Sequence, residues 1–574
     1  MTVRSRLAVC ALVLLASATP AMAQTDAKGD WHGVIKTPIG DLTLLVTIAV
    51  NDDGTLRGEL ESPDQAPGRK TPLSNIAVTG TKLTFIVAPI RASYAGEWVE
   101  ADGHWSGTFT QGTGFPLTLM RGTAPAKPTV QGLDGVWEGT FSQNGVNLRL
   151  ALRVATTARG TSVTVDSPDQ AAFGIVVAGF SRKAESIEFT VPAVGARYAG
   201  QLAEGGERIS GSWTQPGIPE VAIEFTRTSA TAERVAKPRP QTPRPPFPYR
   251  ADEVAFDNPR AGGVRLAGTL TVPEGAGPFP AAVLVTGSGP QDRDETLLGH
   301  KPFAVLADYL TRRGVAVLRY DDRGVAKSTG DHASATSADF ATDANAAVRY
   351  LLTRSDIRRG GVGFIGHSEG GMIAPIAAVD NADVAYIVSL AGPGTNLVQL
   401  LLSQRRLIGV SQGASEQDIA RTEPVMAEIF ADVAASTSVE EARSRVRARL
   451  TPAVLQGLAV PESRREVIVQ QLATEWFRYF LRYDPPAVLS KVRVPFLALN
   501  GSLDRQVPAD ENLAALRAAL AGNPNVTIRK LDSLNHLFQT AKTGGIGEYA
   551  DITETMSPIA LDIIAQWIVE GFGR

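Results

Sequence analysis

Val362-Gly363-Phe364-Ile365-Gly366-His367-Ser368-Glu369-Gly370-Gly371 runs from an apolar stretch into a serine set between glycines. The apolar residues predict a buried strand, and the small residues after them predict a sharp turn into a helix. So tight a bend has no room for side chains beside the serine, hence glycine at the flanking positions. The turn would push the Ser368 hydroxyl out of the sheet, as a nucleophile elbow does.

The pattern G-x-S-x-G is short, and 55 of the 574 residues are glycine. It recurs at Gly409-Val410-Ser411-Gln412-Gly413. There the preceding residues, 400–408, read as helix rather than buried strand, so Ser411 is expected to end a helix. Gly361, Gly363 and Gly366 also spell G-x-G-x-x-G. They lie inside the expected strand instead of after it, which argues against a dinucleotide loop.

A serine hydroxyl needs a base to take its proton, and behind an elbow the chain order is serine, acid, histidine. His536 is the one histidine after Ser368. His32 and His104 belong to the N-terminal region, His300 and His332 precede the serine, and His367 adjoins it, so these five read as structural. The acid is expected at Asp504, where the apolar stretch 496–499 leads through Asn500-Gly501 into a turn. Asp510 and Asp532 compete, but neither follows a strand with a glycine turn. Its task would be to hold the imidazole in one tautomer. Two backbone N–H groups are expected to receive the oxyanion. One is that of Glu369, after the serine, and the other that of Ser288 (or of Gly289) in the loop Thr286-Gly287-Ser288-Gly289-Pro290.

Outward from this core the chain changes character. Strands at 281–285, 315–318, 362–365, 384–390 and 495–499 and helices at 302–313 and 337–352 predict a mostly parallel sheet covered on both faces. Residues 395–490 read as charged, amphipathic helices inserted between two strands. That position makes them a lid over the strand C-termini, where open α/β sheets bind ligands. Upstream, Trp31-His32-Gly33 recurs as Trp137-Glu138-Gly139, Ser62-Pro63-Asp64-Gln65 as Ser167-Pro168-Asp169-Gln170, and Tyr94-Ala95-Gly96 as Tyr198-Ala199-Gly200. The offset stays at 104–106 residues, too long for propeller blades or solenoid turns. Short alternating stretches such as 42–48, 82–87 and 148–154 predict two tandem antiparallel β-domains of about eight strands, each a small barrel or sandwich. Their recurring Trp and Tyr read as core. The expected organisation is a β-domain at 24–125, a second at 130–229, a stiff proline-rich spacer at 230–249, and an α/β domain at 250–574.

Residues 1–23 carry Arg4 and Arg6, an apolar run, and Ala21-Met22-Ala23, the pattern of a cleaved secretory signal. Periplasmic or extracellular placement is therefore expected. Cys10, in that segment, is the sole cysteine, which leaves no disulfide and no cysteine-based metal site in the remainder. The formal net charge is −3, which gives no sign of a nucleic acid partner. No later segment is apolar enough to span a membrane, and no zinc pattern or cofactor motif is present, so no cofactor is expected.

Residues 250–574 resemble a bacterial α/β-hydrolase carboxylesterase family, related to serine aminopeptidase and prolyl-oligopeptidase-like hydrolases. The resemblance rests on 286–294, Arg319-Tyr320-Asp321-Asp322-Arg323-Gly324, 366–371, Trp476-Phe477-Arg478-Tyr479-Phe480 and 535–539. It implies an α/β-hydrolase fold, a Ser368–Asp504–His536 triad and cleavage of small esters with short acyl chains. An amino- or dipeptidyl-peptidase of the same fold is the alternative, and an acylated polymer is a further conceivable substrate. Ala326 departs from the family by standing where relatives usually carry glycine. For 30–228 the resemblance is only to β-domains that precede similar hydrolases.

Overall fold

The computed structural model describes residues 26–573 except 38–39, 91, 112, 144–145, 171, 216–217, 229–236, 459, 461 and 463–464. The signal-like segment 1–23, with Cys10, lies outside the described residues.

The first β-domain is one antiparallel sheet of nine strands, from Gly29–Thr37 to Thr113–Arg121, where about eight were expected. The last strand pairs with the first, Trp31 opposite Arg121. The two edges, Lys70–Pro72 and Ser74–Thr79, meet at Leu73, whose N–H donates to Gly58 O at 2.8 Å. The sheet therefore curls almost into a barrel. The second β-domain repeats the plan from Gly135–Gln143 to Ile218–Thr228, with Val177 N donating to Val163 O at 3.1 Å between its edges.

Alternation sends the recurring aromatics inward. Trp31 and Trp137 are buried, and each indole N–H donates to a carbonyl four residues back, Ala27 O and Leu133 O, both at 2.8 Å. Buried Tyr94 and Tyr198 each stack on a phenylalanine, Phe85 and Phe189, with centroids 5.1 and 5.0 Å apart. A buried phenol needs a partner for its hydroxyl, and both tyrosines donate to strand carbonyls. The aromatics are core, as read from the sequence.

The C-terminal domain is an eight-stranded sheet. Its order is Tyr249–Asn258, Val264–Pro273, Ala316–Tyr320, Phe279–Val285, Ile357–His367, Ile387–Leu390, Phe496–Gly501 and Val526–Leu531. The first two strands are antiparallel and the others run parallel. Pro302–Thr311 and Pro558–Phe572 cover one face; Ser337–Leu352, Gly370–Val379 and Ala509–Ala519 cover the other. A strand buried on both faces reads as a continuous apolar run, and Phe279–Val285 is one.

Between Ile387–Leu390 and Phe496–Gly501 comes the helical insert, beginning with Leu397–Ser411 and Glu416–Ala435. Asn396, Ser415, Ser438 and Thr474 cap its helices by accepting backbone N–H bonds. The insert has its own apolar core around Ile429, Val433, Val446 and Leu481. A second cluster, Leu397, Leu400, Phe480 and Tyr483, packs on Met372 of the helix behind Ser368. The proline-rich stretch does not stand free of the hydrolase sheet. The Arg239 guanidinium donates to Ile552 O, Leu298 O and Ala550 O at 2.7–3.0 Å. Among the described residues no helix is long and apolar enough to cross a membrane.

Candidate active site

Strand Ile357–His367 ends one residue before Ser368, and helix Gly370–Val379 begins two residues after it. Ser368 has φ 53°, a left-handed backbone that an L-residue adopts only under constraint. The constraint is close approach. A methyl on Gly366 would lie 2.0 Å from Gly370 O, and one on Gly370 2.1 Å from Val285 O. The glycines are thus required by packing, as the sequence suggested, and they throw the serine off the end of the sheet. Gly361 and Gly363 lie within the strand, and a methyl on Gly363 would strike the Tyr386 ring at 2.4 Å. Ser411 ends helix Leu397–Ser411 and its hydroxyl bonds Ile408 O at 2.7 Å.

The expected acid and base meet. His536 Nδ1 lies 2.8 Å from Asp504 Oδ2, and both side chains are buried. Asp504 follows strand Phe496–Gly501. Its Oδ1 accepts the backbone N–H groups of Gln506 and Val507, each at 2.8 Å, and its Oδ2 also accepts Asn500 Nδ2 at 3.0 Å. Four donors fix the carboxylate's position. Asp510 instead faces solvent and pairs with Lys530, and Asp532 is exposed.

The surroundings include groups that pattern reading took as structural or passed over. His367 donates through Nδ1 to Glu295 Oε1 at 2.9 Å, and its Nε2 lies 3.0 Å from His536 O. Burial pulls the His367 pKa down, but the charge and hydrogen bond of Glu295 and the His536 carbonyl outweigh it, so it lies above the ordinary value. His367 therefore ties the backbone of His536 to the loop before the first helix. Glu295 Oε1 also accepts Gly287 N–H at 2.8 Å. Gly287 is close enough that a methyl there would sit 3.3 Å from Ser368 Cβ.

Glu369 is buried, and its Oε1 accepts Ser337 Oγ at 2.6 Å and Trp476 Nε1 at 2.8 Å. Burial raises its pKa against those hydrogen bonds and one from the Ser288 hydroxyl. The helical insert is thereby latched to the residue beside the nucleophile. Ser288 itself is exposed on the loop after Phe279–Val285, next to Gly289 with φ 92°. Asp322 holds this loop, accepting Thr286 Oγ1 at 2.8 Å and Gln291 N at 3.0 Å. Its burial, against those two bonds, lifts its pKa to about 8. Glu295, lying beyond the quoted loop, gave no motif to find it by; Asp322 and Trp476 stood in quoted segments without an assigned role, and His367 read as structural. Among the described residues no cluster of three metal-ligating side chains occurs.

A doubly covered parallel sheet, an elbow serine after a central strand, and an Asp–His pair after two later strands define an α/β-hydrolase domain. In agreement, residues 262–531 match the family model of X-Pro dipeptidyl-peptidases of the S15 family. The chain is also similar to Esterase EstD of Thermotoga maritima, 29% identical over 310 residues, which are 53% of this chain and 66% of that protein. It thus spans just under two thirds of that relative's length. Among solved structures, a hypothetical protein of Pseudomonas aeruginosa aligns at 16% identity and TM-score 0.36, covering 59% of this chain and 98% of that one. An esterase of Pyrococcus furiosus aligns at 15% identity and TM-score 0.33, covering 57% and 93%.

Proposed function

We propose that this chain hydrolyses carboxylic esters, short acyl esters among them, through an acyl-enzyme on Ser368. His536 takes the Ser368 proton as Oγ attacks the ester carbonyl, while Asp504 holds the ring and stabilises the imidazolium. The N–H groups of Glu369 and Ser288 receive the developing oxyanion. As the tetrahedral adduct collapses, the C–O bond to the alcohol breaks and His536 returns its proton to the leaving oxygen. Water, deprotonated by His536, then attacks the acyl carbon and frees the acid and Ser368. The observation that carries this reading is the 2.8 Å contact between Asp504 and His536 in a site whose serine is held at φ 53°. Ser368→Ala is expected to lower kcat on p-nitrophenyl acetate by about 10⁶ if the three residues act as a unit. Full turnover by that variant overturns the assignment.

The family match favours a second reading, an X-Pro dipeptidyl-peptidase. Such an enzyme has to hold a substrate ammonium, and a carboxylate near the serine would serve. Glu369 is engaged by Ser337 and Trp476, Glu295 by His367, and Asp504 by His536. The similarity to an esterase supports the first reading as well. Comparing p-nitrophenyl acetate with Xaa-Pro p-nitroanilides separates the two; a higher kcat/KM on the anilides reverses the preference. The signal-like residues 1–23 support periplasmic or secreted placement, which cell fractionation tests. Faster release from an acylated polysaccharide than from a matched soluble ester would support a polymer as substrate.

A further inference from the structure

The second β-domain and the helical insert lie in the same compact unit, 125–574, and between them is a partly enclosed cavity of about 1200 Å³. The sheet contributes inward-facing side chains from one end of its curl: Leu150, Val165 and Trp213. Facing them are Leu401 and Ile408 of helix Leu397–Ser411. Residues 401, 405 and 408 share one face of that helix by their three- and four-residue spacing. Mouths of β-barrels are recurrent ligand sites, and pockets that hold whole small molecules measure about 300–1,000 Å³. A short acyl group fills little of such a space.

One charged group on this helix face gives the cavity its chemistry. Arg405 lines it, half-buried. Its neighbours are satisfied: Arg406 pairs with Glu416 at 3.2 Å and Arg421 with Asp418 at 2.9 Å. The charge of Glu423 reaches Arg405, but among the described residues no carboxylate lies within ion-pair distance of it. A guanidinium on an apolar wall without a carboxylate partner favours an anion that brings apolar surface with it. A carboxylate also matches its planar fork.

We propose that this cavity binds an amphiphilic carboxylate, with the aliphatic body between the sheet and the helices and the carboxylate on Arg405. The site is separate from Ser368 and does not depend on ester hydrolysis. The wall helix nonetheless reaches the candidate triad, because Gln404 Nε2 approaches Gln506 Oε1 at 3.4 Å and Gln506 N–H bonds Asp504. The β-domain on this reading is a binding wall rather than only a spacer.

Titration calorimetry on the full chain carrying Ser368→Ala tests this without interference from turnover. Decanoate is expected to bind saturably at one site, and 1-decanol at least about tenfold more weakly, since it lacks the charge-assisted contact. Adding Arg405→Gln is expected to weaken decanoate by a similar factor, and Arg405→Lys to retain part of the affinity. Leu150→Trp, which fills the cavity, is expected to abolish binding. Absence of saturable decanoate binding overturns the proposal. So does unchanged decanoate affinity in Arg405→Gln, which does not depend on Leu150→Trp folding.

Discussion

The two β-domains and the hydrolase sheet use polar groups in different ways. In the β-domains, what recurs across the duplication is scaffold. Arg121 lies over Trp31 at 4.4 Å and Arg227 over Trp137 at 4.5 Å. A methyl on Gly107 or Gly211 would meet the neighbouring strand at 2.2 and 2.3 Å. Each such feature packs or closes a sheet. In the hydrolase domain the buried polar groups gather at the C-terminal ends of the parallel strands. There, Asp504, His536, His367 and Glu295 bond one another or the turns that carry them, and Glu369 bonds Ser337 and, in the helical insert, Trp476. Barrel-like sheets complete their hydrogen bonding around the curl. A parallel sheet leaves its strand ends open, and chemistry can be mounted there.

The contrast breaks if a polar substitution at the strand ends costs stability without costing turnover. Asp504→Asn is the sharpest case. An asparagine cannot hold the imidazole in the same tautomer, and kcat on p-nitrophenyl acetate is expected to fall by about 10⁴ with the circular dichroism spectrum unchanged. A loss below tenfold would remove Asp504 from the site.

Asp322 makes the contrast visible in pH. Its carboxyl titrates near 3.8 when unfolded and about 8 when folded, because burial disfavours its charge. Between those values the folded chain binds the extra proton, so stability falls as pH rises through the window. The steepest slope is about 1.4 kcal/mol per pH unit. Below the window this contribution is fully favourable; above about 8 it is lost. Asp322→Asn should flatten the dependence in urea melts from pH 4 to 8, and an unchanged slope contradicts the assignment.

His367→Gln comes next in size. It removes the link between Glu295 and the His536 carbonyl, in which the bond to the Glu295 carboxylate is worth about 1.5–3 kcal/mol. His367 is a positioning residue, so kcat is expected to fall about 10- to 100-fold while KM changes little. A change confined to KM would instead place His367 in substrate binding.

How far the sequence carried depended on whether the constraint was local. The elbow at 366–371, the turn at Asp504 and the helix 337–352 were legible because each is dictated by neighbours in sequence: glycine where backbone crowds, a cap, a short apolar run. The antiparallel pair Tyr249–Asn258 and Val264–Pro273 and the edge strand Val526–Leu531 were missed. Charged residues on the half-exposed faces of Tyr249–Asn258 and Val526–Leu531 blur the pattern, and Val264–Pro273 is interrupted by Gly268 and two threonines. Glu295 escaped for another reason. It lies 72 residues from His367 in sequence, and a tertiary hydrogen bond leaves no periodicity. The ninth strand of each β-domain was hidden because Leu73 and Val177 each sit alone between two edge strands that read as one segment.

The smallest expected effect tests the duplication itself. Tyr198 Oη lies 3.1 Å from Ile209 O and 3.0 Å from Ile223 O, while Tyr94 Oη lies 3.3 Å from Trp105 O and 3.4 Å from Leu117 O. Removing either hydroxyl keeps the ring stack and deletes one donor from two buried carbonyls already paired in the sheet. The cost should be about 0.5–1.5 kcal/mol, with the shorter contacts of Tyr198 giving the larger value. Urea melts of Tyr94→Phe and Tyr198→Phe, followed by a fluorescent reporter in each β-domain, measure the two costs separately. Turnover of p-nitrophenyl acetate should be the same in both variants. If either phenylalanine lowers kcat, polar groups inside the β-domains bear on the chemistry, and the division between scaffold and strand-end site fails at that point.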